Sequence, residues 1–208
     1  MKNIKKLPFI LTILSFLTIF VPANAEIKVV TSIKPIHSLA SYLMDGVAKP
    51  DLIVDGYASP HGFALKPTHA KMLQEADLVF WVGEDLENFL KKPLKSIAKK
   101  AEKIELMEIK GLTKLKFRER NIFDEHGHKD KDDDHGHKED EHGHKDKDDD
   151  HGHDEHAHGE FDPHIWLDPM NAKIILSEMA EHLIEKDQKN ASTYKANLKK
   201  AHLSLIHI

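Results

Sequence analysis

The sequence predicts an α/β fold, an N-terminal βαβ lobe on a parallel sheet, and two observations carry that reading. Short runs rich in β-branched and aromatic residues recur along residues 27–109. Between them lie amphipathic patterns of ten to fifteen residues, and strands alternating with such helices form parallel βαβ units. Ligands of these sheets sit beyond the carboxyl ends of the strands.

Ile27–Ser32 (IKVVTS) reads as a buried first strand. Pro35 then opens a helix with Ile36, Leu39, Ala40, Leu43 and Val47 on one face and Gly46 as its stop signal. Leu52–Val54 is a second strand, running into a turn-rich loop, Asp55–His61. Pro67 is placed for the first position of a second helix, with Ala70, Leu73 and Ala76 inward. Leu78–Val82 (LVFWV) is the clearest strand, stopped by Gly83. Leu86 to Ala98 forms a third helix, kinked or broken at Pro93. Ile104–Ile109 is expected as the fourth strand. After Phe161–Pro169 (FDPHIWLDP) an apolar face at Ile175, Met179 and Leu183 marks another helix. Asp187–Asn190 interrupts it, and Tyr194, Leu198 and Ala201 resume the pattern with no partner expected to pack against them.

Both termini read as something other than fold. Residues 1–25 have the form of a signal peptide: Lys2, Lys5 and Lys6, the apolar run Leu7–Val21, then Ala23-Asn24-Ala25 before the cut. About fifteen apolar residues fall short of the roughly twenty a spanning helix needs. Without cysteine there is neither a lipid-attachment residue nor a disulfide. An exported protein is expected, in the periplasm where there are two membranes. Residues 203–208 (LSLIHI) are what a common transposon sequencing adapter would encode. They are expected to be a non-native tail on a chain that naturally continues, so His207 is not taken as a ligand.

Residues 124–160 are a separate unit. Sixteen acids and five lysines give it −11, against −5 for the whole chain. Ten of the seventeen histidines fall here as five His-x-His pairs: His126 with His128, His135 with His137, His142 with His144, His151 with His153, and His156 with His158. Glu125–His137 repeats as Glu141–His153. Nothing aliphatic larger than Ala157 is present, so the run cannot bury enough apolar surface to offset its ordering entropy. A disordered, accessory metal-binding loop is expected. The positive surplus elsewhere is scattered without interleaved aromatics, which argues against nucleic-acid binding. No H-E-x-x-H helix is present, and catalysis is not expected.

Among the other histidines, His61 follows Ser59-Pro60 in a strand-to-helix loop, and His164 stands between Pro163 and Trp166. A lone loop histidine is more often a surface residue, and one in a rigid apolar setting can be buried against backbone. Held by two corners, however, the pair would make half of a tetrahedral zinc site. Asp162 and Asp168 flank His164; either accepts its second ring proton or serves as a turn residue, and Asp168 is the candidate to hold the ring. His37 and His69 are read as structural or solvent-facing, and His182 and His202 as helix-surface positions without neighbours to recruit them.

VVTSIKPIHSLA at 29–40, DGYASPHGFALKPTHAKMLQEADLVFWVGEDLE at 55–87 and DPHIWLDPMNA at 162–172, with an acidic His-rich loop between the last two, resemble the solute-binding proteins of zinc ABC importers, ZnuA-like members of the metal-binding cluster. The resemblance implies two α/β lobes joined by a long helix, with the metal between them. It assigns 26–123 and 161–187 to the first lobe and 188–202 to the start of the connecting helix, the second lobe being absent. It makes His61 and His164 metal ligands and leaves a third histidine and a carboxylate to the other lobe. Position 69, usually an acid in this motif, is His69 here. The implied cargo is Zn²⁺ and the implied partner a membrane permease, with no small organic ligand and a monomeric state. The alternatives are a manganese or iron homologue, disfavoured because manganese prefers harder oxygen ligands, and a periplasmic metal buffer acting only through the loop.

Overall fold

The computed structural model describes residues 26–117 and 159–206. The leader and His207 lie outside the described residues. So do all ten accessory metal ligands expected in the His-rich run, namely His126, His128, His135, His137, His142, His144, His151, His153, His156 and His158. No helix among the described residues is long and apolar enough to cross a membrane.

Among the described residues four parallel strands form the sheet: β1 (Val29–Ile33), β2 (Asp51–Val54), β3 (Leu78–Trp81) and β4 (Glu102–Glu105), in the order β2-β1-β3-β4. All five residues of β1 and all four of β3 are buried, which is why their sequences show no polar alternation. The described residues also form five α-helices: α1 (Lys34–Leu43), α2 (Pro67–Glu75), α3 (Asn88–Ser96), α4 (Pro169–Lys186) and α5 (Ala191–Ile206). α1, α4 and α5 pack on one another, and α2 packs against α3. Prolines occupy the first turns of α1, α2 and α4, where a missing N–H costs nothing. Gly46 ends the α1 region with φ of 76°, a left-handed conformation that favours glycine.

Two expectations are corrected. The fourth strand begins at Glu102 and ends at Glu105, and Leu106–Glu108 is a turn of 3-10 helix. This is an edge strand, so Lys103 is exposed, Glu102 and Glu105 are half-buried, and only Ile104 is buried. Its pairing with β3 starts at Leu78↔Glu102, two residues ahead of the apolar run. The last helix also has a partner within the lobe. Tyr194 is fully buried, and Asn197 Nδ2 donates to the carbonyls of Leu43 and Asp45, each at 2.9 Å. Those bonds fasten α5 to the end of α1. At the α4–α5 joint, Asp187 accepts from Asn190 Nδ2 at 2.7 Å and from Tyr194 Oη at 2.8 Å.

Pro93 lies inside α3 without ending it. His69 is buried and its Nδ1 accepts from the backbone N–H of Lys66 at 3.1 Å, with its ring against Phe63. It does there what an acid does at the third position of a capping box, and burial lowers its pKa. His37 is likewise structural, its Nε2 lying 3.1 Å from the Pro50 carbonyl.

Glu87 is the one fully buried acid among the described residues. Its Oε2 accepts from the N–H groups of Val82 and Gly83, both at 2.9 Å, which closes the turn after β3. Burial pushes its carboxyl up to about 7, more than these bonds pull it down. The folded protein therefore holds a proton that the unfolded chain releases near its ordinary value of 4.5. The contribution of Glu87 to stability is present below that value and declines as pH rises towards 7.

Asn197→Ala is expected to cost about 2 kcal/mol in urea denaturation, because two carbonyls lose their donor; an unpacked α5 would give no change. Glu87→Gln is expected to remove the fall in stability between pH 4.5 and 7, measured as urea midpoints across that range.

Candidate metal centre

β2 ends at Val54 with its carboxyl end beside that of β1, and the chain turns through Asp55–Ser59 into a short 3-10 turn, Pro60–Gly62. Ser59 caps this turn, its Oγ accepting from the N–H of His61 at 3.3 Å, while Pro60 fixes the preceding residue. His61 is thus on a defined corner with its side chain exposed.

His164 stands on a second corner. The N–H of Asp162 donates to the Leu115 carbonyl at 2.7 Å, and Lys116 bridges Phe161 in antiparallel fashion. From that anchor, Asp162 Oδ1 accepts from the backbone N–H of His164 at 2.9 Å and lies 2.6 Å from its Nδ1. The backbone N–H of His164 is the main reason that the Asp162 carboxyl sits below its usual range. An anionic Asp162 on Nδ1 sets the tautomer that leaves Nε2 free to ligate. Trp166 lies against the same ring, with centroids 5.2 Å apart.

The two corners meet. The rings of His61 and His164 have centroids 5.9 Å apart, tilted by 45°. Zinc–nitrogen bonds of about 2.0–2.1 Å at tetrahedral angles place two imidazole centroids about 5 Å apart, so a small ring movement would let both bind one ion. They border a hollow of about 310 Å³ whose floor includes Ile33, Pro35 and Val54 from the strand ends. A larger hollow of about 760 Å³, lined partly by Lys28, His37 and Asp51, lies at the opposite ends of the strands and holds no such pair.

Asp168, expected to hold the His164 ring, caps α4 instead: its Oδ1 accepts from Met170 N at 2.8 Å. Asp162 supports His164 instead, because an Asp two residues upstream can reach both the N–H and the ring. Two further histidines, expected to lack neighbours, have partners. His202 Nε2 lies 3.3 Å from Ser177 Oγ and 3.2 Å from the Lys173 carbonyl. His182 meets Glu102 across the sheet edge at 2.6 Å. Helix periodicity places such residues on a face but does not say what lies opposite.

The model of the family described as zinc-uptake complex component A, periplasmic (ZnuA), matches residues 29–207. The chain belongs to the ZnuA family. It is 46% identical over 182 residues to the high-affinity zinc uptake system protein ZnuA of Brucella abortus, covering 82% of this chain and 52% of that protein. The ZnuA protein of Yersinia pestis is 34% identical over 176 residues, covering 85% and 52%. The chain therefore spans about half the length of the curated relatives it matches. Among solved structures, the Zn(II)-bound AdcA of Streptococcus pneumoniae superimposes with a TM-score of 0.61 at 17% identity, over 88% of this chain and 31% of that one. A Mn-bound periplasmic metal-binding protein from Candidatus Liberibacter asiaticus gives 0.60 at 20%, over 85% and 52%. These likenesses support the α/β lobe as a fold. Both corners carrying His61 and His164 lie within the matched ZnuA span.

Proposed function

We propose that this chain is the zinc-capturing part of a periplasmic solute-binding protein that delivers Zn²⁺ to the membrane permease of an ABC importer. One observation carries the reading: two imidazoles from rigid corners on either side of the His-rich run converge at the carboxyl ends of a parallel sheet. In this reading His61 and His164 ligate the ion, Asp162 orients His164, and a further histidine and a carboxylate complete the shell from outside the present chain. Residues 1–25 direct its export to the periplasm. The role is binding and transfer rather than catalysis.

The acidic run adds collection. Its flanks are tied together by the Lys116–Phe161 bridge and by the ion pair of Lys116 with Glu160, close in sequence to His164. Ions held by its His-x-His pairs are thereby tethered near the cleft, at an effective concentration of roughly millimolar. Its ten imidazoles favour zinc over manganese, which prefers oxygen ligands. That separates this reading from a manganese-binding homologue, which the fold alone does not.

In cells that depend on this gene for growth at limiting zinc, His61→Ala with His164→Ala is expected to abolish uptake. Unimpaired uptake would leave only the buffering role of the loop. Asp162→Ala, which removes the support of His164, is expected to weaken zinc binding by about tenfold to a hundredfold in competition titrations of the complete protein. Unchanged affinity would remove Asp162 from the site.

A further inference from the structure

The hollow beside His61 and His164 carries a charge of the wrong sign for a cation. Lys34, the first residue of α1, borders it, and among the described residues no carboxylate does. The Lys34 Nζ donates to the Gly56 carbonyl at 2.5 Å and stands 5.8 Å from the ring centroid of Tyr57, which is fully exposed. Both partners are neutral, and no acid pairs with this ammonium among the described residues.

Helix stability does not explain a lysine at this position. The N-terminus of a helix carries about half a positive charge, and Lys34 adds to it in a first turn that has no acid and no side-chain cap. α4, which starts at the other corner, has Asp168 as its cap. The bond to Gly56 does tie the turn ahead of His61, where Gly56 has φ of 64°. A neutral donor would make that bond as well, so the bond leaves the charge without a purpose. Its effect on an ion follows from distance. A hollow of about 310 Å³ has room for about ten waters, so every group on its border is near an ion held by the two imidazoles. Two unit charges 4 Å apart in water change an equilibrium constant about fivefold, and a double charge at twice that separation gives the same factor.

We propose that Lys34 sets the affinity of the cleft: its fixed positive charge opposes the bound cation and keeps the hold on Zn²⁺ weak enough for the ion to be passed on. The proposal rests on the cleft reading given above. Lys34 is not a ligand in it and acts through space, so its effect depends on charge and on salt rather than on the shape of the side chain. Screening is the signature of such an effect, because the Debye length falls from about 10 Å at 0.1 M salt to about 3 Å at 1 M. A ligand bond or a loop contact has no such dependence.

The test compares zinc affinity, by competition with a chelator, in the complete protein and its Lys34→Arg, Lys34→Met and Lys34→Glu variants. The His61→Ala, His164→Ala protein gives the baseline contributed by the acidic run. Lys34→Met and Lys34→Glu both lose the bond to Gly56 and differ from each other in charge. At low ionic strength Lys34→Met is expected to bind zinc about fivefold more tightly than wild type, and Lys34→Glu about fivefold more tightly again. Lys34→Arg should stay within about twofold of wild type, and in about 1 M salt all four should converge. A purely structural tie would give the opposite sign, since losing it would loosen His61 and weaken binding. Three results would overturn the proposal: no tightening in Lys34→Met, equal affinities in Lys34→Met and Lys34→Glu, or differences that survive 1 M salt. A wild-type protein with no zinc step above the baseline would instead refute the cleft reading, and this proposal with it.

Discussion

β1 is buried along its whole length, with β2 on one side and β3 on the other. Of its polar members, Thr31 is spent on structure, its Oγ1 donating to the Asp51 carbonyl at 2.9 Å. No side chain in the middle of such a sheet is available to a water-borne ion, and a polar group placed there would have to be fully hydrogen-bonded. Chemistry is thus displaced to the strand ends. At the carboxyl end, Ile33 and Pro35 lead from β1 and the loop after Val54 leads from β2, so one short arc of backbone presents both the hollow and His61.

Rigid corners matter because an imidazole that must be ordered on binding gives up part of the affinity it provides. Pro60 and the Ser59 cap restrict the backbone at His61, and Asp162 restricts both backbone and ring at His164. Trp166 adds an apolar wall. The described lobe sets two rings near the separation that one ion needs. α5 supports the same arrangement, since Asn197 ties it to α1, whose first residues line the hollow.

The central strands are legible in the sequence because burial on both faces writes an uninterrupted apolar run: LVFW announces β3. β4 is displaced by two residues from its sequence-based position because an edge strand needs only one apolar side chain, Ile104, and the denser apolar stretch follows it. His61 and His164 stand out because each is bracketed by proline and turn residues in an otherwise periodic chain. What supports them is less visible. Asp162 and Asp168 both precede proline and both accept from the N–H two residues ahead, and only the geometry shows that Asp162 also reaches the His164 ring. The N-cap role of Asp168 is readable, since Asp followed by Pro at the first helical position is a start signal. The contacts of His182 with Glu102 and of Asn197 with Leu43 are not, because they join residues far apart in sequence and leave no periodic trace.

The two aspartates also resolve an electrostatic conflict. α4 begins next to His164, and the N-terminus of a helix carries about half a positive charge, an unfavourable neighbour for a cation. Its first turn contains no acid of its own. Asp168 at the cap and Asp162 beside the ring supply two negative charges there, and both accept from backbone N–H groups. In the proposed site, a zinc-binding corner ahead of a helix uses both residues, one beside the helix end and the other to hold the imidazole. At the far end the helix polarity reverses and favours cations, and there Lys186 and His182 stand among glutamates. The same helix therefore carries an acid at its cap and a lysine in its last turn, each opposite in sign to the partial charge of that end.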